Sequence, residues 1–260
     1  MTNILITGGS SGIGAALAIH YAAPDVRLFL TGRNKARLAE VGTICTEKGA
    51  QVTTACLDVT DRHAMKAFIE QADHQTPLDL VIANAGISGG TGETNSGVKG
   101  IEPDAQIRDI FAVNLDGVMN TIDPILPRMV SRQAGQIALM SSLAAFSGWP
   151  GAPAYSASKG AVRLYGEALR ETVRPHGVRI NVICPGFIKT PMTDVNDYKM
   201  PFMISAERAA QIISRNLARN KGRIAFPVAT YLVAGLVGIL PYGIHSLVVR
   251  KTPQKKALPE

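Results

Sequence analysis

The sequence predicts an α/β fold, with one doubly wound, mostly parallel sheet and helices on both faces, in a single domain. Short apolar runs alternate with longer segments of helical composition along the first 226 residues. This alternation is typical of a parallel sheet that helices cover on both faces. A glycine-rich turn follows the first apolar run. The length of 260 residues is enough for one large domain with a substantial core.

The glycine-rich turn joins the first predicted strand to the first predicted helix. Residues 4–6 are apolar, residues 7–14 read Thr-Gly-Gly-Ser-Ser-Gly-Ile-Gly, and residues 15–23 have a helical composition. A strand, a glycine turn and a helix in this order bind the pyrophosphate of a dinucleotide at a helix N-terminus. The spacing is Gly-x-x-x-Gly-x-Gly and not the commoner Gly-x-Gly-x-x-Gly. Its place in the chain nevertheless predicts a Rossmann-type dinucleotide site.

The remaining elements continue the alternation. Further strands are predicted at residues 26–31, 51–57, 78–83, 136–140, 179–184 and 222–226. Helices are predicted at residues 34–48, 61–75, 107–130, 154–173 and 205–220. Asn34 and either Thr60 or Asp61 are the predicted N-caps of the first two of these helices. Pro124 and Pro127 predict a break near the end of the third.

Polar side chains follow three of the predicted strands. Arg33, Asp58 and Asn84 lie where the ligands of such folds bind, at the carboxyl ends of the strands. An acidic residue after the second strand would bind the ribose 2′-hydroxyl of NAD, whereas an arginine accommodates the 2′-phosphate of NADP. No acidic residue is present there, and the guanidinium of Arg33 suits a phosphate. We therefore predict NADP(H), with a solvated turn arginine and NAD(H) as the alternative.

A tyrosine and a lysine stand four residues apart on the helix predicted at residues 154–173. At this spacing Tyr155 and Lys159 share one helical face. A free tyrosine has a pKa of about 10, and a nearby ammonium lowers it toward neutral pH. Ser142 follows a predicted buried strand, so its hydroxyl could meet the same substrate oxygen. The three residues predict acid–base chemistry on a carbonyl or an alcohol, although a lone Tyr-x-x-x-Lys is common on helices.

Composition narrows the classes of function. The apolar fraction of 46% and the charged fraction of 18% exclude a disordered protein. Cys45, Cys56 and Cys184 are odd in number and lie in separate elements, which argues against a disulfide framework. The five histidines are scattered without metal-ligand spacing, so no metal is expected. Because no secretory signal is visible, we expect a cytoplasmic protein.

Several short motifs recur together in the order and at the spacing of one family. With them the chain resembles a classical short-chain dehydrogenase/reductase over residues 1–226. The residues that carry the resemblance are Thr7-Gly8-Gly9-Ser10-Ser11-Gly12-Ile13-Gly14, Asp58, Asn84-Ala85-Gly86, Asn114, Ser142, Tyr155-Ser156-Ala157-Ser158-Lys159, Asn181, Pro185-Gly186 and Thr190.

The resemblance implies four catalytic residues. Tyr155 exchanges the proton with the substrate oxygen, Ser142 polarises that oxygen, and Lys159 lowers the pKa of Tyr155. Asn114 holds the water of a proton relay. The resemblance also implies a homodimer or homotetramer. The cofactor-binding residues that it implies, together with the Arg33 predicted above, are Gly8, Ser10, Ser11, Gly12, Ile13, Gly14, Asp58, Val59, Asn84, Ala85, Gly86, Tyr155, Lys159, Pro185, Gly186, Ile188 and Thr190.

These observations together predict an oxidoreductase that transfers a hydride between NADP(H) and a carbonyl or secondary alcohol. The expected substrate is a lipophilic ketone that is reduced to an alcohol. Two alternatives stay open: a non-catalytic NADP-binding or scaffolding protein on the same fold, and an NAD-dependent alcohol dehydrogenase. The proton-transfer residues count against a mere binding protein, which has no need of them.

Two segments near the predicted site have open interpretations. Residues 87–103 are polar and rich in glycine, which suits either a lid or a long connection. Residues 187–204 contain several apolar side chains, which predict either a hydrophobic substrate pocket or ordinary core packing. These side chains are Phe187, Met192, Tyr198, Met200, Phe202 and Met203.

The chain continues beyond the last predicted strand with an apolar and basic extension, residues 227–260. Nine Lys and Arg residues and no acidic residue lie between positions 208 and 259, and none of the nine lies between Arg223 and Arg250. The proline-free part, residues 228–240, is shorter than the roughly 20 residues that span a bilayer. We predict contact with a membrane surface through residues 227–256, with another subunit or the domain's own surface as alternatives. A role with nucleic acid is not expected, because the basic residues flank an apolar run.

Overall fold

The computed structural model describes residues 1–92, 100–250, 252, 253, 255 and 257. Part of the predicted loop at residues 87–103 therefore lies outside the described residues, as do Lys251 and Lys256 of the basic extension. The strands are β1 (Thr2–Thr7), β2 (Val26–Gly32), β3 (Gln51–Cys56), β4 (Leu80–Ala83), β5 (Gln136–Met140), β6 (Arg179–Pro185), β7 (Ile188–Lys189), β8 (Ile204–Ser205) and β9 (Arg223–Phe226).

Seven of these strands form one parallel sheet in the order β3-β2-β1-β4-β5-β6-β9, and β7 pairs with β8 separately. The strand order reverses between β1 and β4, because β2 and β3 lie on one side of β1 while β4, β5 and β6 lie on the other. At such a switch point the connections leave in opposite directions, which opens a crevice at the carboxyl ends of the two strands. The predicted doubly wound α/β fold is confirmed.

The helices are α1 (Gly12–Tyr21), α2 (Lys35–Glu47), α3 (Arg62–Gln75), α4 (Asp104–Phe111), α5 (Gly117–Ile122), α6 (Leu126–Ser131), α7 (Pro153–Val173), α8 (Pro191–Asp194), α9 (Ala206–Ala218), α10 (Val228–Gly238) and α11 (Tyr242–Val249). Asn34 caps α2 by accepting a hydrogen bond from the Arg37 amide. Asp61, and not Thr60, caps α3. The predicted break in the helix at residues 107–130 lies between α5 and α6, and α1 begins three residues earlier than predicted.

Two apolar cores cover the two faces of the sheet. Ile4 and Ile6 of β1 belong to one core, and Leu5 between them belongs to the other, because successive side chains of a strand point to opposite faces. Buried residues of α1, α2 and α9 complete the first core, and those of α3, α5 and α7 complete the second. Burial on both faces explains why the strands read as continuous apolar runs and not as alternating ones.

The C-terminal extension packs on the domain itself. The ring of Tyr231 in α10 contacts the ring of Phe146 edge to face, with 5.4 Å between centroids. His245 of α11 shares a hydrogen bond of 2.7 Å with the Ser147 hydroxyl. Tyr231 and His245 of the extension, residues 227–260, therefore contact the surface of residues 1–226, which is one of the alternatives considered for the extension. Among the described helices, none is both long and apolar enough to cross a membrane.

Candidate active site

A cavity of about 910 Å³ lies at the carboxyl edge of the sheet and extends from the glycine turn to Tyr155. Most of the predicted site residues line it. These are Gly8, Ser10, Ser11, Gly12, Ile13, Arg33, Asp58, Val59, Asn84, Ala85, Gly86, Ser142, Tyr155, Lys159, Pro185, Gly186, Ile188 and Thr190. Gly14 and Asn114, which the sequence analysis also assigned to the site, do not line the cavity.

The glycine turn is a cradle with no room for side chains behind it. Gly8 and Gly12 have φ angles of +67° and +54°, in the left-handed region that favours glycine. Gly14 lies behind the turn, where a Cβ atom would stand 2.2 Å from the Gly8 carbonyl oxygen and 2.6 Å from Nδ2 of Asn84. That amide nitrogen donates to the carbonyl oxygen of Thr7 at 2.9 Å and so ties the turn to the end of β4. The cradle opens at the N-terminus of α1 and fits a phosphate group.

Arginine side chains line the cavity where β2 ends. Arg33 is exposed and lies 3.7 Å from a carboxylate oxygen of Asp58. Arg37, one turn into α2, also lines the cavity, although the sequence analysis did not select it. The sequence could have indicated Arg37 as a site residue, because it lies four residues after Arg33 and on the first turn of a helix capped by Asn34. Two arginines thus line the cavity close to the end of β2.

Ser142, Tyr155 and Lys159 meet at the other end of the cavity. Ser142 directly follows the buried end of β5, and its hydroxyl accepts a hydrogen bond from the Ala144 amide at 3.1 Å. Tyr155 lies on the first turn of α7, which begins at Pro153. Lys159 is one turn further along α7, and its ammonium nitrogen lies 5.9 Å from the centroid of the Tyr155 ring. The same ammonium donates to the carbonyl oxygen of Met140 at 2.8 Å.

Burial is the main cause of the pKa shifts of Tyr155 and Lys159. Burial raises the pKa of Tyr155, and a hydrogen bond with Ser142 lowers it by less. The pKa of Tyr155 therefore lies above its ordinary value and not below it as expected, because burial outweighs the hydrogen bond with Ser142. Burial also lowers the pKa of Lys159 to about 8. At neutral pH the site presents a neutral phenol beside an ammonium, which is an arrangement that can donate a proton.

Asn114 lies behind the cavity wall and is fully buried. Its Nδ2 donates to the Ile87 carbonyl oxygen at 3.0 Å and to the Ser158 hydroxyl at 3.1 Å, and its Oδ1 accepts from the Ile87 amide at 2.8 Å. It stands in a π-helical turn, Ala112–Asp116, between α4 and α5. Its side chain therefore joins α7 to the loop after β4, which positions the wall of the site.

The far wall of the cavity is largely apolar. Phe187, Met192 and Tyr198 line it, as the sequence analysis expected of residues 187–204, whereas Met200, Phe202 and Met203 do not. The C-terminal extension supplies residues that no sequence pattern placed here. These are Thr230, Val233, Ala234, Val237, Val248, Val249, Thr252, Pro253 and Lys255. In the sequence Lys255 is one member of a basic flank, and nothing in its local pattern distinguishes it from its neighbours.

The part of the chain that the structure describes contains no metal-binding cluster and no disulfide. Within the described ranges, no group of three or more His, Cys, Asp or Glu side chains is arranged to hold a metal ion. The sulfur atoms of Cys45, Cys56 and Cys184 are free, and Cys45 and Cys184 are buried.

The fold and the site together define a doubly wound α/β protein with a glycine turn at the switch point of its sheet. The chain belongs to the short-chain dehydrogenase family, because the profile described as short chain dehydrogenase matches residues 2–200. The resemblance seen in the sequence is confirmed.

Relatives share both the sequence and the fold. An "uncharacterized oxidoreductase" of Myxococcus xanthus is 34% identical over 248 residues, which cover 95% of this chain and 96% of the relative. The structure of a short-chain dehydrogenase from Sphingobium yanoikuyae in complex with NADPH superposes with a TM-score of 0.77 at 22% identity and covers 99% of both chains. A short-chain dehydrogenase from Mycobacterium paratuberculosis bound to NAD superposes with a TM-score of 0.74 at 20% identity and covers 89% of this chain and 98% of that one. At these identities the two structures establish the fold alone.

Proposed function

We propose that the protein is an NADP(H)-dependent oxidoreductase that reduces the carbonyl group of a lipophilic substrate. The observation that carries the proposal is that one cavity joins the glycine turn to the hydroxyl groups of Ser142 and Tyr155. A mere binding protein needs the first of these features but not the second. The name of the Myxococcus relative, an oxidoreductase, also supports this reading.

Ser142, Tyr155 and Lys159 have different roles in the reduction of the substrate carbonyl. Bound NADPH supplies the hydride. Ser142 donates a hydrogen bond to the carbonyl oxygen, and Tyr155 delivers the proton to it as the alcohol forms. Because the pKa of Tyr155 is raised, the phenol carries its proton at neutral pH, which suits the direction of reduction. The ammonium of Lys159, 5.9 Å from the ring centroid, stabilises the phenolate that remains.

The cofactor would be held by groups spread along the cavity. The turn around Gly8 and Gly12 would receive the pyrophosphate of the cofactor. The residues that follow β4 and β6 would flank its nicotinamide half. Arg33 and Arg37 favour a ribose 2′-phosphate and therefore NADP(H). Asp58 lies 3.7 Å from Arg33 and offsets part of that charge. Of the two structures compared, one is described with NADPH and the other with NAD, so the preference rests on the arginines.

The test of catalysis is Tyr155→Phe, with Tyr165→Phe on the same helix as the matched control. We expect Tyr155→Phe to lower kcat for NADPH-dependent ketone reduction by about 10²–10⁴-fold while NADPH affinity stays nearly unchanged. Tyr165 packs in the second core and does not line the cavity, so its variant keeps full activity. Turnover that survives Tyr155→Phe contradicts the proposal and favours a binding or scaffolding role.

The test of cofactor preference is a titration with NADPH and NADH before and after Arg33→Ala. We expect NADPH to bind more tightly, and the variant to lose most of the difference. Arg27→Ala is the control, because Arg27 lies at the opposite end of β2 and bonds to Gln51. Equal or tighter binding of NADH by the unmodified protein would make it an NAD-dependent alcohol dehydrogenase.

The apolar face of the C-terminal helices supports a second part of the proposal, which is contact with a membrane surface. Each of the side chains on this face is more than half exposed, namely Val228, Leu232, Val233, Leu236, Ile239, Tyr242, Ile244 and Leu247. Arg250 is exposed at the end of α11, and three lysines follow within six residues, of which Lys255 is buried. An apolar helical face with basic residues beside it is suited to an anionic membrane surface.

Sedimentation with vesicles tests this contact. We expect binding to vesicles that contain phosphatidylserine, weaker binding to phosphatidylcholine alone, and loss of binding in Leu236→Gln. Leu164→Gln is the matched control, because Leu164 on α7 is equally exposed, at 60%. If Leu236→Gln instead changes the oligomer seen by analytical ultracentrifugation and no vesicle binding is found, the face is a contact within the predicted homodimer or homotetramer.

A further inference from the structure

The last described residues of the chain return across the cavity. We call residues 252, 253 and 255 the C-terminal strap. The indole nitrogen of Trp149 donates to the Pro253 carbonyl oxygen at 3.0 Å. The Gly92 amide donates to the Lys255 carbonyl oxygen at 2.7 Å, and the Lys255 amide donates to the Gly151 carbonyl oxygen at 3.3 Å. Three hydrogen bonds to two separate loops therefore hold the strap.

Two glycines make room for this contact. A Cβ atom at Gly90 would stand 2.5 Å from both the Cβ and the carbonyl oxygen of Lys255. A Cβ atom at Gly151 would stand 2.4 Å from the Pro253 carbonyl oxygen. The strap can lie this close only where both loops lack side chains. Its position follows from the shape of the loops and places the side chain of Lys255 in the cavity wall.

The side chain of Lys255 is buried, and its ammonium lies beside the reacting end of the cavity. Lys255 is only 5% exposed, and its nitrogen lies 5.9 Å from the centroid of the Tyr155 ring. Burial lowers its pKa to about 8. Lys159, at the same distance from the ring, donates to the carbonyl oxygen of Met140. Lys255 has no such hydrogen bond and no ion pair among the described residues.

An ammonium that faces a largely apolar cavity attracts an anionic group more strongly than it would in bulk water, because less solvent screens the interaction. The ring of Tyr155 is a weak partner for this ammonium. The cavity therefore presents a cation to a ligand beside Tyr155. The same cavity has a largely apolar wall, to which Phe187, Leu143 and Val237 contribute. A ligand that satisfies both features has an acidic group beside its reactive carbon and an apolar remainder.

We propose that Lys255 is a specificity-determining residue that binds the carboxylate of a lipophilic oxo acid whose carbonyl lies at Tyr155. This inference rests on the proposed function and narrows its substrate class. The carboxylate would form a charge-assisted hydrogen bond with the ammonium. The strap then both closes the cavity and selects acidic substrates over neutral ones.

Calorimetry with matched ligands tests the site without requiring turnover. The full chain, with NADP⁺ present, is titrated with dodecanoate and dodecan-1-ol and with hexanoate and hexan-1-ol. We expect at least one carboxylate to bind about tenfold or more tightly than its alcohol. Lys255→Met should remove this advantage and leave alcohol binding unchanged, because methionine keeps the apolar stem and lacks the charge. Lys199→Met is the matched control, since Lys199 lines the same cavity but is exposed.

A second variant tests the position of Lys255 while its charge is kept. Gly90→Ala keeps Lys255 but places a Cβ atom 2.3 Å from the Gly151 carbonyl oxygen and 2.5 Å from Lys255. It therefore displaces the strap together with the loop at Gly151 and should weaken carboxylate binding as Lys255→Met does. Equal binding of acid and alcohol by the unmodified chain, or a Lys255→Met variant that weakens both alike, overturns the proposal. Circular dichroism and thermal unfolding confirm that each variant is folded before its titration is read.

Kinetics distinguish failure of the inference from failure of the proposed function. The substrates are 3-oxododecanoate and its methyl ester, with NADPH as the reductant. If the enzyme prefers the acid and Lys255→Met abolishes this preference, the result supports both the role of Lys255 and the reductase function. Reduction of the ester with equal or greater kcat/KM supports the reductase and overturns the role of Lys255. If neither compound is reduced but carboxylate binding still depends on Lys255, the anion site stands and the reductase assignment fails.

Discussion

Gly14→Ala tests whether the glycine turn is the cradle on which the site depends. Gly14 is buried in the first turn of α1, where an alanine would by helix propensity alone stabilise the protein by about 1 kcal/mol. A Cβ atom there would stand 2.2 Å from the carbonyl oxygen of Gly8, and contacts under 3.0 Å do not persist. The turn and the helix must therefore separate by about 0.8 Å, the difference between these two distances.

Overpacking of this kind costs about 1–3 kcal/mol, and a clash with backbone lies at the upper end of that range. After the gain in propensity, we expect Gly14→Ala to lose about 2 kcal/mol of unfolding free energy. At about 2–4 °C per kcal/mol for a chain of this size, Tm falls by about 4–8 °C. Because the turn that moves would hold the pyrophosphate, NADPH affinity should fall about tenfold or more.

Gly160→Ala is the matched control in the assay. Gly160 also lies within a helix, α7, but the nearest heavy atom to a Cβ atom there is the Ala145 carbonyl oxygen at 3.8 Å. We expect its Tm to rise slightly and its NADPH affinity to stay unchanged. Both variants are measured by thermal unfolding and by NADPH fluorescence titration. A Gly14→Ala protein that is as stable as Gly160→Ala and binds NADPH equally well would refute the assignment of the cradle.

Two further predictions concern stability. Asp73, whose side chain is 2% exposed, accepts hydrogen bonds from Arg128 and Arg132 at 2.6 and 2.7 Å. Burial raises the pKa of Asp73, but these arginines and the Leu78 amide outweigh it, so the pKa lies below its usual value. Asp73→Asn should therefore lower the unfolding free energy by about 2–3 kcal/mol at pH 7. In urea titrations this difference should persist down to about pH 4 and shrink below it, as Asp73 is protonated; a difference that does not depend on pH would contradict the charge-based explanation. Phe146→Ala removes the ring against which Tyr231 packs, so amide exchange in α10 should rise by about tenfold or more while exchange in β5 stays slow; unchanged protection of α10 would show that other contacts hold it.

Much of the fold could be predicted because its signals are local. The runs that became β1, β2 and β5 are apolar on both faces, and Asn34 and Asp61 cap helices within three residues of their own position. The spacing of Tyr155 and Lys159 settles that they share a face as soon as the segment is helical. Boundaries were less predictable, as the early start of α1 at Gly12 illustrates.

Parts of the site were not predictable because they depend on what packs over a residue. The shift in the pKa of Tyr155 has the opposite sign to the one expected, since burial outweighs the hydrogen bond with Ser142. Asn114 was expected to hold the water of a proton relay, and the sequence could not show that its side-chain amide donates to Ile87 and Ser158, which are 27 and 44 residues away in the chain. The hydrogen-bond partners of Asn114 came from elements distant in sequence.

The sequence by itself determined the order of strands and helices, the glycine turn and the paired tyrosine and lysine, because periodicity and short spacing act within a few residues. Only the tertiary structure decided that the C-terminal extension forms part of the cavity. Lys255 lies beside Tyr155 because backbone hydrogen bonds to Gly92 and Gly151 hold the strap there, and these contacts join residues more than a hundred positions apart. No local pattern encodes such a contact, since its free energy arises from the shapes of two loops that come together only in the folded chain.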